Sequence, residues 1–367
     1  MKLATYYRPH PTTISILSSN PPSLVVLGHS VLEFQLLSIC HVGEAYAVVL
    51  ALYRLGGENR VEYAVSGLVL RLMAFNVALH TVNSKLFSSS DIQSIVKKAM
   101  VERLKTYYKV NWFEESGSEY PIRIFNYKDE VTVCIDSSGD SLHKRGYRPV
   151  AGKAPISETL AAALIMLSPW RKDRILVDPF CGSGTIPIEA AMMAANIAPG
   201  MNRSFTGEKW DNIIGRSMWY DCIDEANDLV DTSIETDIQG YDIDKDVLKT
   251  ARRNAENAGV SGLIHFQERP VKELSHPKKY GFIITNPPYG ERLEDKETLP
   301  AIYSEFGRQF AALDSWSAFM ITSYTEAERY FGRKADANRK IYNGMLKTYY
   351  YQFLGPKPPR QGKQEKN

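Results

Sequence analysis

Ile175-Leu176-Val177-Asp178-Pro179-Phe180-Cys181-Gly182-Ser183-Gly184-Thr185 is a short buried strand running straight into a glycine turn, and a helix over about 186–198 follows it. A glycine loop between a strand and a helix lets the backbone approach a ligand closely, at the positive end of the helix. The same rhythm repeats downstream. A strand ending at Gly240-Tyr241-Asp242 feeds a helix with Val247, Leu248, Ala251, Ala255 and Ala258 on one face, closed by Gly259. A third strand lies near 263–267, and a fourth, over 280–285, ends at Asn286-Pro287-Pro288-Tyr289. Strand, turn and helix in alternation predict an α/β fold, a Rossmann-like parallel sheet with its ligand crevice at these four strand ends.

The loop itself narrows the ligand. A phosphate-binding Walker loop needs a lysine after its last glycine, and Gly184-Thr185-Ile186 has none. A dinucleotide fingerprint needs a third glycine, which Gly-Ser-Gly-Thr-Ile-Pro lacks, so a dehydrogenase is disfavoured. Asp178 stands immediately before the loop, where it would repel a pyrophosphate and attract a cation. S-adenosylmethionine carries an ammonium and a sulfonium and suits that charge. Pro179, Gly182, Gly184 and Thr185 join Asp178 as cofactor candidates. Asp242, at the next strand end, can accept from both ribose hydroxyls, while Asp244 reads as the N-cap of the following helix. The adenine is expected near 269–271, a stretch that an ordinary loop explains as well.

Asn286-Pro287-Pro288-Tyr289 carries the chemistry. Paired prolines alone make a rigid loop, but that does not account for the asparagine and the aromatic at its ends. The amino group of a nucleobase is a poor nucleophile because its lone pair is spread into the ring. The Asn286 side-chain oxygen and the Pro287 carbonyl can hold its two N–H bonds and aim the nitrogen at a methyl group, while Tyr289 stacks on the flipped base. The prolines stiffen the loop and lack N–H groups of their own. Neither a nucleophilic residue nor a separate strong base is required. Arg292 suits a phosphate, or a salt bridge with Glu291 or Glu294.

The remaining composition bounds the setting. The chain has 367 residues and a formal net charge of +2, so a nucleic-acid partner must be gripped by local patches. The four cysteines, Cys40, Cys134, Cys181 and Cys222, form no metal-binding or disulfide spacing, so no metal is expected and a reducing, cytoplasmic setting follows. The most apolar stretch, 24–53, is interrupted by His29, Glu33, Gln35, His41 and Glu44, which argues against a membrane span. Lys85, Lys97, Lys98, Arg103, Lys105 and Lys109 make the region before the catalytic part locally basic. One helix there is predicted to carry Lys97 and Lys98 outward, with Ile92, Ile95, Val96 and Ala99 toward the core. His143-Lys144-Arg145-Gly146-Tyr147-Arg148 adds a second basic cluster with an aromatic. Together the two point to RNA, with Lys97, Lys98, Lys144, Arg145 and Arg148 as contacts.

With Asp178–Thr185, Gly240–Asp244 and Thr285–Leu293 in this order and spacing, the chain resembles the bacterial THUMP-domain RNA methyltransferases, specifically the ribosomal large-subunit guanine-N2 methyltransferases. The resemblance runs from about Phe75 to Phe353. It implies an α+β THUMP-type RNA-binding domain ahead of a class I S-adenosylmethionine-dependent methyltransferase domain. N2-methylguanosine in 23S ribosomal RNA, or in a ribosome precursor, is the implied product. It also places Pro155 and Glu158 over the methionine end of the cofactor. Larger fused relatives carry a second methyltransferase domain, so only the guanine-N2 activity is expected of this chain. The expected divisions are an atypical front at 1–74, a THUMP-like region at 75–150, the methyltransferase domain at 151–355 and a disordered basic tail at 356–367. The front lacks the family's Asn-Leu-Trp-Leu-Arg stretch. The alternatives are adenine-N6 methylation of DNA or RNA, which the Asn-Pro-Pro-Tyr loop serves equally, guanine-N2 methylation of transfer RNA, and a noncatalytic RNA-binding assembly factor.

Overall fold

The computed structural model describes residues 77–148, 156–211, 214–290 and 297–359, with three short strands before them. The front at 1–74 therefore falls almost wholly outside the described residues, as do Pro155, Glu291, Arg292 and Glu294. The proposed tail is described only to Pro359, without regular structure. The described residues form two compact units. One runs up to Leu142 and includes Ser204–Asp228; the other holds His143–Arg203 and everything from Leu229.

In the first unit β1 (Leu37–Ser38) pairs antiparallel with β2 (Ala47–Val48), and β3 (Leu72–Ala74) runs parallel to β5 (Glu114–Glu119). β4 (Val77–Val82), β6 (Ile122–Tyr127) and β7 (Glu130–Ile135) form a second sheet in the order β4-β6-β7. The β6–β7 hairpin turns on Lys128 and Asp129, both at positive φ (53° and 65°), the geometry that matches a two-residue turn to the twist of its strands. Helix α1 (Ser89–Tyr108) connects β4 to β5. Ile92, Val96, Met100 and Leu104, four residues apart, are its inward stripe. Ile95 is 66% exposed and Ala99 is also exposed, contrary to the expectation that both face the core. They lie one step round the helix from that stripe. The core is completed from far along the chain: Trp210 stacks on Tyr120 with ring centroids 5.0 Å apart, and its indole N–H donates to the Glu119 carbonyl at 2.8 Å.

The second unit is a seven-stranded sheet in the order β10-β9-β8-β11-β12-β14-β13. Its strands are β8 (Leu176–Asp178), β9 (Ile238–Asp242), β10 (Ile264–Glu268), β11 (Phe282–Thr285), β12 (Ser317–Thr322), β13 (Ala337–Asn343) and β14 (Leu346–Phe353). β8 to β12 run parallel; β14 is antiparallel to β12 and to β13. Both faces are covered, which is why these strands read as unbroken apolar runs. Leu176, Ile238, Phe282, Ile284 and Phe319 face one core with α2 (Glu158–Met166), α3 (Thr185–Ala194) and α4 (Lys245–Asn257). Val177, Ile283 and Met320 face the other, with Tyr303, Phe306 and Phe310 of α5 (Leu299–Ala312) and Phe331 of α6 (Ala327–Phe331). α3 ends four residues short of the predicted Ala198, because Asn196 takes a left-handed conformation (φ 57°) that stops the helix. Among the described residues no helix is long and apolar enough to cross a membrane.

Candidate active site

The two glycines of the loop after β8 do different work. Gly182 (φ 52°) has nothing within 4 Å of where a Cβ would stand, so it faces open space. Gly184 (φ 82°) is packed so closely that a Cβ would lie 2.9 Å from the Phe266 ring and 3.1 Å from Ala251. The first leaves room for a ligand, and the second seats the loop on α4 and β10. Pro179 and Thr185, expected among the cofactor contacts, are both buried.

Asp178 is 2% exposed. Its Oδ1 accepts the Thr285 hydroxyl at 2.6 Å and the Phe180 N–H at 3.1 Å. This bond ties the end of β8 to the end of β11, and so the glycine loop to the Asn-Pro-Pro-Tyr loop. Burial pushes the Asp178 carboxyl up to about 7, against the pull of these two donors. Asp242, half-buried, accepts the Gly182 N–H at 2.9 Å through one oxygen and the Asp244 N–H at 3.0 Å through the other. Asp244 caps α4 by accepting from the N–H groups of Asp246 and Val247. Asp242 thus shapes the glycine loop as well as standing at its rim, and burial raises its carboxyl above the ordinary range. Beside it Ile243 is 72% exposed, an apolar surface at the crevice that sequence reading passed over. Arg269 lies over the Tyr241 ring at 5.1 Å and donates to Ser275, so the stretch expected near the adenine is held by structural contacts.

Asn286 follows directly on β11 and is partly exposed, and no described residue hydrogen-bonds its side-chain amide. Pro287 is buried, Pro288 exposed and Tyr289 half-buried. The loop is braced from α5: the buried Tyr303 hydroxyl donates to the Pro288 carbonyl at 3.1 Å and pairs with Thr322 Oγ1 at 2.7 Å. Asn343, at the end of β13, donates to the Tyr289 hydroxyl at a long 3.5 Å. Sequence reading missed Thr285 and Tyr303, whose roles depend on elements distant in the chain.

The His143–Arg148 cluster corrects an expectation. Arg148 and Arg145 were expected to reach RNA, yet their side chains are only 9% and 11% exposed. Arg148 donates to Thr185 Oγ1 at 2.8 Å and to the Ile156 carbonyl at 3.2 Å, and pairs with Glu158 at 3.3 Å. Arg145 lies 3.6 Å from Glu189, which is wholly buried on α3 and accepts the Tyr147 hydroxyl at 3.1 Å. The physical reason is the pair of buried carboxylates: a guanidinium is their best partner in a desolvated setting, so both arginines turn inward. Burial still lifts the Glu189 carboxyl to about 7, with Arg145 opposing it. Glu158, expected over the cofactor, is 3% exposed and faces Arg148. Lys144 of the same cluster is exposed, and so are Lys97 and Lys98 on α1. Among the described residues there is no group of three or more His, Cys, Asp or Glu that could hold a metal ion.

Residues 145–352 match the family described as "RMKL-like, methyltransferase domain", and residues 68–136 match the THUMP domain. "Putative RNA methyltransferase YpsC" of Bacillus subtilis (strain 168) is 46% identical over 293 residues, covering 79% of this chain and 76% of that protein. "Ribosomal RNA large subunit methyltransferase K/L" of Shewanella pealeana is 39% identical over 264 residues, 70% of this chain; the match spans 37% of that protein's length. Two solved structures superpose well. The "predicted N6-adenine-specific DNA methylase" of Listeria monocytogenes has a TM-score of 0.75 and 44% identity, covering 79% of this chain and 75% of that one. "SMU.472, a putative methyltransferase complexed with SAH" has a TM-score of 0.74 and 42% identity, covering 80% and 77%.

Proposed function

The chain belongs to the RMKL-like methyltransferase family, with a THUMP domain ahead of the methyltransferase domain, and from that premise we propose that it methylates the N2 amine of guanine in large-subunit ribosomal RNA. The observation that carries the reading is the Asn286 amide, without a hydrogen-bond partner among the described residues and set on a loop braced by Tyr303. S-adenosylmethionine, the cofactor of this family, would supply a methyl group on a positively charged sulfur. The donor set fits it. Gly182 leaves open space, Asp178 and Asp242 are carboxylates suited to a cation and to ribose hydroxyls, and Ile243 offers an apolar surface beside Asp242.

The chain's own residues then act by position. The Asn286 oxygen and the Pro287 carbonyl accept the two N–H bonds of the amine, which fixes the direction of its lone pair. Tyr289 lies against the base. The Asp178–Thr285 bond holds that loop in register with the glycine loop, so the two reacting groups meet at a set distance. S-adenosylmethionine held there would supply its methyl to the nitrogen so oriented, and the amine's extra proton would pass to water. RNA is favoured by the THUMP domain, by the exposed Lys97, Lys98 and Lys144, and by the names of the Bacillus and Shewanella relatives. Adenine N6 is the second reading: the same two acceptors serve that amine, and the Listeria structure is described in those terms.

The test is incubation with methyl-labelled S-adenosylmethionine and unmodified large-subunit ribosomal RNA, followed by digestion and identification of the labelled nucleoside. Label in N2-methylguanosine is expected. Label in N6-methyladenosine selects the second reading, and no transfer to RNA removes both RNA readings. Asn286→Ala is expected to lower turnover about a hundredfold, the scale of one lost transition-state contact, with cofactor affinity nearly intact. Unchanged turnover removes the amine-acceptor role.

A further inference from the structure

The β13–β14 hairpin does more than finish the sheet. Thr322, the last residue of β12, pairs with Tyr349, yet β14 begins at Leu346 and the hairpin continues to Met345. Three residues of strand beyond Tyr349 carry β14 about 10 Å past the end of β12, with the turn at Gly344 and Met345 beyond them. That is the carboxyl edge of the sheet, where the glycine loop and the Asn-Pro-Pro-Tyr loop also emerge. The contact between Asn343 and the Tyr289 hydroxyl sets the hairpin beside the reacting loop.

Its side chains suit neither folding nor solvent alone. Asn343 pairs with Leu346 across a two-residue turn of Gly344 (φ 61°) and Met345, and Met345 is 99% exposed. From 337 to 349 the hairpin carries Arg339, Lys340 and Lys347 and no acidic residue. All three are exposed, and among the described residues none pairs with a carboxylate. Cross-strand pairing brings Lys340 opposite Tyr349 and Tyr342 opposite Lys347, so two ammonium groups and two phenol rings share one face. The Lys340 ammonium stands 5.1 Å from the Tyr342 ring and the Lys347 ammonium 5.2 Å from the Tyr349 ring. The buried Thr348 hydroxyl donates to the Ile341 carbonyl at 2.8 Å and stiffens the arm.

We propose that this hairpin grips the RNA strand next to the target base, Lys340 and Lys347 on its phosphates and Met345 as an apolar wedge in the space the extruded base leaves. The inference rests on the RNA reading above. Extruding a base breaks its stacking on both neighbours. Apolar side chains at the tips of nucleic-acid-binding elements offset that loss by entering the stack. Alternating cations and aromatic rings are the pattern single strands are held by.

The test uses the full chain, unmodified large-subunit ribosomal RNA and labelled cofactor, with Lys340→Ala/Lys347→Ala, Met345→Ala and Met345→Leu. Calorimetric cofactor affinity within twofold of wild type reports an intact fold. The double lysine variant is expected to raise KM for RNA about tenfold and to make binding less salt-dependent, by about 0.7 in the logarithmic slope per lost phosphate contact. Met345→Ala is expected to lower kcat about tenfold with KM within twofold, and Met345→Leu to restore it. Variants that match wild type in KM, kcat and salt dependence overturn the hairpin role alone. Transfer by wild type to DNA and not to RNA, or to neither, overturns the function reading and the hairpin role together.

Discussion

Arg145 and Arg148 of the second unit turn into the core beside the glycine loop, whereas Lys97 and Lys98 on α1 of the first unit are exposed. All four are cations in short basic runs, and their neighbours decide their direction. Glu158 and Glu189 are buried carboxylates that need a planar, multidentate partner, and the arginines supply it. Lys97 and Lys98 are exposed on α1, where an ammonium keeps much of its water. The inward pair braces buried carboxylates and the start of α3, and the outward pair is exposed.

The contrast can be broken most sharply at Arg148. Arg148→Ala leaves Glu158 buried without its ion pair and Thr185 without its donor, and is expected to cost about 3–5 kcal/mol of stability. Thermal unfolding of the full chain measures this. A variant as stable as wild type that binds RNA less well would place Arg148 on the surface after all. Arg148→Lys should recover only part of the loss, because one ammonium cannot reach Thr185, Ile156 and Glu158 together.

A smaller effect lies in pH. Burial raises the Asp178 and Glu189 carboxyls to about 7, so between the unfolded value, about 4, and pH 7 the folded state holds protons that the unfolded chain has released. Their stabilising contribution is full below about pH 4 and is lost as pH rises through 7. The unfolding temperature is expected to fall by several degrees, of order 2–4 °C per kcal/mol, as pH rises from 5.5 to 8.5. Glu189→Gln should flatten that slope, and a slope unchanged in the variant removes Glu189 as its source.

The smallest effect belongs to the outward pair. Lys97→Ala/Lys98→Ala is expected to leave stability within about 0.5 kcal/mol. RNA binding should weaken several-fold, with a salt slope lower by about 1.4 if both ammonium groups touch phosphate. Binding that is unchanged at every salt concentration would assign the RNA-facing role to other residues.

The parts of the site that were legible are those set by short-range pattern. The loop at Gly182 and Gly184, Asp242 at a strand end, Asp244 as a helix cap and Asn286 at the start of a proline-stiffened turn all follow from residues adjacent in the chain. The parts that escaped depend on distant partners. Thr285 reads as one more residue of an apolar strand until Asp178, 107 positions earlier, receives its hydroxyl. Tyr303 reads as part of a helix's apolar face until its hydroxyl meets the Pro288 carbonyl. Ile95 fits a generous helical stripe, and only the position of the sheet beneath α1 leaves it outside. Ser204–Asp228 interrupts the methyltransferase sequence and belongs by contact to the first unit, where Trp210 fills the core against Tyr120.

By itself the sequence determined the alternation of strand and helix, the places where the chain must turn, and the residue types at each strand end, because these follow from local sterics and periodicity. Tertiary structure alone decided which cations are buried, which hydroxyls tie one loop to another, and that the β13–β14 hairpin stands beside the Asn-Pro-Pro-Tyr loop. Burial and hydrogen bonding between remote residues depend on how the layers pack, and that packing is a property of the whole fold rather than of any window of sequence.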